Sequence, residues 1–425
     1  MILYQGLRHK NSEQLRLIDS LETDCYKTLS NVEMLTPSIV VNACDALSSK
    51  VKNGEFDHLI KPLLKEFNVP EENFSHYVDA FSKASLEKKL RIELGEDYNQ
   101  LAALNQLNHR KFYPLGVLFH IAAGNLDVLP AYSVIEGLLG GNINILKLPT
   151  GDKGVSVELL SALVEIEPRL MEYIYVFDVP SFETDTLKTF ANLADAVVVW
   201  GGDETIKAAR AMAQPNTKII EWGHKLSFAY ASSNASDDAL VDLAKNILQT
   251  NQLLCSSAQG IYVDTNSRQK LDIFAKRFFN ILVESQKYYQ EVPFEMKSKN
   301  AVELYYEEMI KGETGKRIWK QNGVSVVTSD DSTLELSLFF RNVWVKMLPK
   351  AKIIETLKPY KNHLQTASIL DSNKYLAEYK DYLKRAGVVR LKKASEMSET
   401  LLGESHDGVY PLRLYTRVVE WYCKT

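Results

Sequence analysis

Between residues 116 and 148 the chain reads GVLFHIAAGNLDVLPAYSVIEGLLGGNINILKL. The run Gly116-Val117-Leu118-Phe119-His120-Ile121 is apolar and too short for a helix, so it predicts a buried strand. Val128 to Leu139 has helical spacing and stops at Gly140-Gly141; Ile143 to Leu148 predicts the next strand. The alternation continues outward. Helices are expected over Val155 to Met171, Phe182 to Leu193 and Asp203 to Met212. Strands are expected over Ile174 to Phe177, Ala196 to Trp200 and Lys218 to Glu221. This β-α-β-α rhythm predicts a parallel sheet covered by helices on both faces. Such sheets take ligands beyond the carboxyl ends of their strands, so the residues just after each strand carry the functional interest.

Upstream, residues 1 to 110 show helix-like apolar intervals and are expected to be helical throughout. Downstream a second α/β block begins near residue 230. It opens with a helix over Asp237 to Leu248, a turn containing Cys255 and a strand over Gly260 to Val263. Long helices to about Asn322 follow, with strands over Val324 to Thr328 and Leu334 to Met347. The expected organisation is a helical N-terminal region 1–110 packed on the cofactor domain, a Rossmann-like cofactor-binding domain 111–228, a catalytic domain 229–400 with the nucleophilic Cys and a tail 401–425 that returns to the core.

The 425 residues carry 50 basic and 54 acidic side chains, a net charge of −4, with 45% apolar and 24% charged residues. This is a globular composition. It lacks the basic field of a general nucleic-acid binder. The four cysteines show no CxxC spacing, so neither a disulfide framework nor a zinc site is expected, and no metal. No apolar run is long enough to span a bilayer, and the charged N-terminal stretch leaves no signal-peptide core, so a cytoplasmic location is expected.

Several residues could carry chemistry. Cys255 lies between a predicted helix and a predicted strand, where a thiolate nucleophile would be exposed; a buried cysteine filling space is the alternative. Cys25, Cys44 and Cys423 lack this context and are expected to be structural. Asn125 follows the first strand, as a donor into the cleft or as a helix cap. Lys147 ends a strand, where it could reach a ribose or phosphate or remain solvated. Trp200-Gly201-Gly202 forms a strand–helix junction whose backbone could approach a pyrophosphate. GxGxxG itself occurs nowhere in the chain. Glu221 could be a general base or part of an ion pair. His406, in Gly403-Glu404-Ser405-His406-Asp407-Gly408, is a candidate substrate-side residue or a solvated turn histidine.

The order and spacing of Asn125, Lys147, Gly201-Gly202, Glu221-Trp222-Gly223-His224-Lys225 and Cys255 resemble those of the aldehyde dehydrogenase superfamily. More narrowly the chain resembles the acyl-CoA reductase family of bacterial bioluminescence fatty acid reductases. The residues that carry this are Leu118-Phe119-His120-Ile121-Ala122-Ala123-Gly124-Asn125, Val199-Trp200-Gly201-Gly202, Lys225-Leu226-Ser227-Phe228, Cys255-Ser256-Ser257-Ala258-Gln259 and His406-Asp407-Gly408. They cover about residue 75 to the end. The resemblance implies an aldehyde dehydrogenase-like α/β fold, with two parallel-sheet domains, a cleft between them and a helical N-terminal region. Carried over by position, Cys255 is the nucleophile, and Asn125 with the Cys255 backbone N–H forms the oxyanion hole. Lys147 and Gly201-Gly202 hold the cofactor, and Glu221 takes the general-base position. Trp222 and His224 replace the usual Leu and Gly of the Glu motif, which puts hydrolytic deacylation by Glu221 in doubt.

The implied reaction is NADPH-dependent reduction of a long-chain fatty acyl-CoA to the aldehyde through an acyl-cysteine thioester. The acyl group would come from acyl-CoA or from an acyl-protein synthetase partner, and a homo-oligomer is expected. NAD-preferring members of the superfamily often carry Glu three residues after the cofactor Lys. Thr150 stands there in this chain, with Lys153 nearby, which favours the 2′-phosphate of NADP. Two rival readings remain: an acyl-phosphate reductase of the glutamyl-phosphate type, and a catalytically silent scaffold for an acyl-activating partner.

Overall fold

A computed structural model describes residues 1–66, 74, 78–96, 98, 102–103, 108–124, 127–371 and 375–422. The chain divides into two compact units, residues 1–223 with 401–425, and residues 224–400.

The first unit is built on a seven-stranded sheet. Its strands are β1 (Ile2–Tyr4), β2 (Leu7–His9), β5 (Val117–Ile121), β6 (Ile143–Lys147), β7 (Ile174–Phe177), β8 (Ala196–Trp200) and β9 (Lys218–Trp222), in the order β2-β1-β7-β6-β5-β8-β9. The five strands from β7 to β9 run parallel. Every residue of β6, β7 and β8 is buried, as expected for strands covered on both faces. The expectation of a wholly helical region 1–110 is corrected here. Ile2–Tyr4 and Leu7–His9 form a hairpin whose first strand adds antiparallel to β7. Its turn is Gln5-Gly6, both at positive φ, the two-residue geometry that matches strand twist. The region also holds β3 (Ala102–Ala103) and β4 (Asn108–Pro114), which join β17 (Thr416–Tyr422) in a three-stranded antiparallel sheet ordered β17-β4-β3. The region's described residues also include the 3-10 turn Asn11–Glu13 and the helices Gln14–Leu29, Pro37–Lys52, Asp57–Glu66 and Lys83–Leu94.

The helix Leu129–Leu139 packs directly on this sheet, and Gly137 permits the approach. A Cβ there would stand 1.8 Å from Asn144 Oδ1. The helix expected to reach Met171 ends at Ile166, and Pro168 begins a separate 3-10 turn.

The second unit contains β10 (Leu226–Ser232), β11 (Ala258–Asp264), β12 (Arg317–Gln321), β13 (Val324–Ser329), β14 (Asn342–Met347), β15 (Leu364–Leu370) and β16 (Arg390–Leu391), ordered β12-β13-β14-β11-β10-β15-β16. Only the edge pair β12–β13 is antiparallel. Close packing shows at Gly260, where a Cβ would enter the Trp344 ring at 2.0 Å. The strand expected over Leu334 to Met347 is confined to Asn342–Met347. Residues Phe339, Phe340 and Arg341 ahead of it all have positive φ, which no strand accommodates. Among the described residues no helix is long and apolar enough to cross a membrane, and no group of His, Cys, Asp or Glu could hold a metal ion.

Candidate active site

Cys255 occupies the turn between helix Asp237–Thr250 and β11, and its side chain is exposed. Cys25 and Cys44 are buried, and desolvation pushes both thiols up to about 12, which leaves them protonated and inert at neutral pH. Cys423 lies outside the described residues.

The Cys255 turn is held from several sides. Asn251 and Gln252 both take left-handed backbone angles and reverse the chain at the end of the helix. The Gln252 carboxamide, 0% exposed, donates to the carbonyls of Ala258, Gln259 and Asn342 at 3.2 Å each and accepts from the Arg341 N–H at 3.0 Å. Gln259 returns a bond to the Gln252 carbonyl at 3.0 Å, and Asn246 accepts from the Ala258 N–H at 3.2 Å. Ser227 on β10 donates to the Cys255 carbonyl at 2.7 Å and accepts from the Thr366 N–H on β15 at 3.1 Å. Gln365, beside Thr366, directs its Nε2 at Cys255 Sγ, 3.4 Å away. Gln252, Ser227 and Gln365 have partners far away in sequence, and sequence reasoning assigned none of them a role. The one local signal was that Gln252 and Gln259 flank the cysteine.

In the first unit, Lys147 closes β6 and is 4% exposed, not a solvated surface lysine. Its Nζ donates to Ser181 Oγ at 2.9 Å. Burial pushes the ammonium below its usual range, while Asp178 acts in the opposite direction. Thr150 and Lys153 are exposed in the following turn, and Lys153 Nζ stands 3.4 Å from Asp127 Oδ2, so its charge is shared with a carboxylate. Gly202 precedes helix Asp203–Met212, with no described atom within 4 Å of where a Cβ would stand. Gly201 is crowded by Thr205 at 3.0 Å. Asp203 and Glu204 fill the first turn of that helix. They oppose a phosphate at its N-terminus, so the bare backbone at Gly202, rather than the helix dipole, is what this turn offers a ligand. A buried cation with a hydroxyl beside it and open glycine backbone at the strand ends fit a dinucleotide.

Glu221 lies within β9, with its carboxylate gripped by the Arg210 guanidinium, one of the two bonds being 2.8 Å long. Asn125 lies outside the described residues; the preceding Gly124 stands at the end of β5 against Pro149.

His406 sits edge-on to two indoles, with centroids 5.2 Å from Trp200 and 4.7 Å from Trp222, which are stacked on each other at 5.3 Å. Asp407 Oδ2 is 3.7 Å from His406 Nε2. The Trp222 that departs from the expected Glu motif is thus a buried wall of an aromatic cluster.

Behind it runs a buried polar chain. Trp200 Nε1–H donates to Ser133 Oγ at 2.9 Å, and His120 Nδ1 is 2.7 Å from the same oxygen. His120 Nε2 meets Asn144 Oδ1 at 3.0 Å, and the Asn144 amide donates to the Asn142 carbonyl at 2.7 Å. That orientation makes Nε2 the protonated nitrogen of a neutral ring. Burial pushes the His120 pKa down to about 4, against the opposing bond to Asn144.

Residues 36–418 match the acyl-CoA reductase (LuxC) family, starting inside the stretch where the sequence motifs are silent. The chain is 28% identical over 438 residues to a long-chain acyl-protein thioester reductase of Aliivibrio fischeri, covering 98% of this chain and 89% of that one. A long-chain acyl-protein thioester reductase of Vibrio harveyi is 25% identical over 350 residues, 80% of this chain and 71% of that one. Among solved structures, aldehyde dehydrogenase 21 from Physcomitrella patens, in complex with succinate, superposes with a TM-score of 0.70 at 14% identity, covering 98% and 91% of the two chains. A betaine aldehyde dehydrogenase double mutant from Staphylococcus aureus, in complex with NAD+, also reaches 0.70, at 15% identity over 96% and 89%. The fold is that of the aldehyde dehydrogenases.

Proposed function

The chain belongs to the acyl-CoA reductase (LuxC) family, and from that premise we propose that it reduces a long-chain fatty acyl thioester to the free aldehyde with NADPH, through an acyl-thioester on Cys255. The observation that carries this reading is the exposed Cys255 side chain on a turn fixed by buried glutamines, with an amide N–H 3.4 Å from its sulfur.

Cys255 Sγ attacks the acyl carbon; the new S–C bond forms, the donor's C–S bond breaks, and the donor leaves as a thiolate. One thioester replaces another, so the exchange is close to thermoneutral. When bound, a reduced nicotinamide supplies hydride to the acyl carbon. The Cys255 backbone N–H would stabilise the oxyanion that develops, a role the family resemblance also gives to Asn125, and collapse of the adduct returns the electron pair to Sγ and frees the aldehyde. Glu221 is committed to Arg210, which suits a reductase, because a base that activated water would divert the acyl group to the fatty acid.

Lys147 with Ser181 would hold the adenosine ribose, and Gly201-Gly202 would let the cofactor lie against the backbone. Thr150 would receive the 2′-phosphate, and Lys153 would add a cation partly offset by Asp127. The two relatives are named for acyl-protein substrates. The favoured donor is therefore a protein-borne thioester from an acyl-protein synthetase partner, with acyl-CoA a simpler donor of the same bond. His406 is the residue proposed for the substrate side, on the family resemblance.

The test is to mix the purified protein with long-chain acyl-CoA or an acylated partner, first without and then with NADPH. Without reductant Cys255 gains the acyl mass; with it, aldehyde appears as nicotinamide absorbance falls. NADPH is used better than NADH, and Thr150→Glu reverses or erases that preference through the KM for NADPH. Release of free fatty acid, or acyl transfer mapping to another residue, overturns the reading.

A further inference from the structure

We infer that the Gln365 carboxamide is a catalytic hydrogen-bond donor to Cys255 Sγ, holding the sulfur as a thiolate for acyl uptake and receiving it back as a thiolate when the aldehyde leaves. This deepens the proposed function and relies on it for the identity of the acyl group.

The geometry lies within the second unit. Gln365 is the second residue of β15 and is 2% exposed, so its rotamer is fixed by packing. Its Nε2 is 3.4 Å from Sγ, within reach of an N–H to sulfur bond. The next residue grips the same cysteine from the other side, since the Thr366 N–H holds Ser227 Oγ and Ser227 holds the Cys255 carbonyl. One strand thus fixes both the sulfur and the peptide plane of Cys255.

A hydrogen bond to the charged form of an acid favours that form. An amide N–H supplies it without a counter-charge and without a proton that could be transferred. Once acylated, Sγ is a thioester sulfur and a weak acceptor. The bond therefore strengthens at the steps where sulfur bears charge: before attack on the acyl carbon, and as the S–C bond breaks with its electron pair returning to Sγ while the oxyanion closes to the aldehyde carbonyl. Stabilisation confined to those points raises the rate rather than only the affinity.

Among the described residues, several ionisable groups on the elements around the turn hold other partners. Lys225 Nζ donates to the Asn362 carbonyl, and His363 Nδ1 meets the His224 carbonyl. Arg341 binds Asn251 and the Gln290 carbonyl, Tyr230 binds the Leu348 carbonyl, and Lys245 pairs with Asp242.

The experiment is the pH dependence of iodoacetamide alkylation of Cys255 in the full chain, mapped by mass spectrometry, for wild type, Gln365→Met and Gln365→Glu. Removing the donor moves the midpoint up by about one pH unit, so Gln365→Met reacts about tenfold more slowly below the midpoint and at the wild-type rate above it. Gln365→Glu keeps the shape of the side chain, places a like charge at the sulfur and moves the midpoint further. A purely structural role would change the rate at all pH values without moving the midpoint. An unchanged midpoint in folded Gln365→Glu overturns the inference, and this variant decides the matter if Gln365→Met does not fold. A shifted midpoint in a protein that never takes up acyl groups would instead overturn the acyl-reductase reading alone.

Discussion

The turn that carries Cys255 and the turns that follow β6 and β8 are built on opposite plans. Around Cys255, four side chains (Gln252, Gln259 and Asn246 from the adjoining turn and helix, and Ser227 from β10) hold backbone groups, and two consecutive residues take left-handed angles. After β6, by contrast, Thr150 and Lys153 are exposed, and Gly151 and Gly154 have no described atom near a would-be Cβ; Gly202 after β8 is equally bare. A sulfur that must attack one carbon needs placement to a fraction of an ångström, since a misplacement of about 1 Å can cost about a hundredfold in rate. A turn proposed to receive a large cofactor would need empty space and backbone to touch.

Cys255→Ala tests the first plan most severely. Turnover should fall by roughly four orders of magnitude or more, as expected for loss of a nucleophile, with the melting temperature nearly unchanged because the side chain is exposed. Comparable residual aldehyde formation would place the chemistry elsewhere.

Gln252→Ala comes next. It leaves three carbonyls and one N–H in a buried site without their partner. Stability against urea should drop by about 3–5 kcal/mol, and turnover per folded molecule should fall as Cys255 loses its placement. A loss of stability with full turnover would show that the turn positions nothing.

His120 gives the comparison a pH axis, because the first unit relies on one neutral buried ring. Its folded pKa of about 4 lies below the unfolded value, so between these values the unfolded chain binds the extra proton and stability rises with pH. The contribution is complete above about pH 6.5 and is lost as pH falls toward 4, on the order of 3 kcal/mol. Urea titrations of wild type and His120→Gln at neutral and acidic pH should differ in slope by this amount; parallel curves would remove His120 as the source.

Gly202→Ala should have the smallest effect on the fold, within about 1 kcal/mol, because the added methyl meets no described atom. If cofactor lies against this backbone, the same methyl should raise the KM for NADPH roughly tenfold through overpacking. An unaltered KM would separate this turn from the cofactor.

The sequence made the central strands legible because β6, β7 and β8 are buried on both faces and read as unbroken apolar runs. The β1–β2 hairpin was hidden, since each strand is three residues long and its signal is the single pair Gln5-Gly6. Cys255 could be singled out because its position between a helix and a strand is a local property. Ser227 and Gln365 could not, because each acts across a gap of 28 or 110 residues that only the parallel sheet closes. Glu221 was ambiguous for a related reason: its partner Arg210 is placed by the return of a helix onto β9, which no spacing rule in the sequence encodes.

The division of the chain also bears on the order in which the protein is made. Residues 224–400 form one uninterrupted unit, so all of its strands are made in one continuous run of the chain. The first unit must wait for residues 401–422. Tyr415 covers Trp222 and accepts from Asn142, the Leu412 N–H satisfies Glu93, and β17 lies beside β4. Until those residues emerge, a nascent chain exposes the apolar side of Trp222 and leaves Glu93 with Lys89 but without the Leu412 N–H, so over that interval a chaperone has this face to shield.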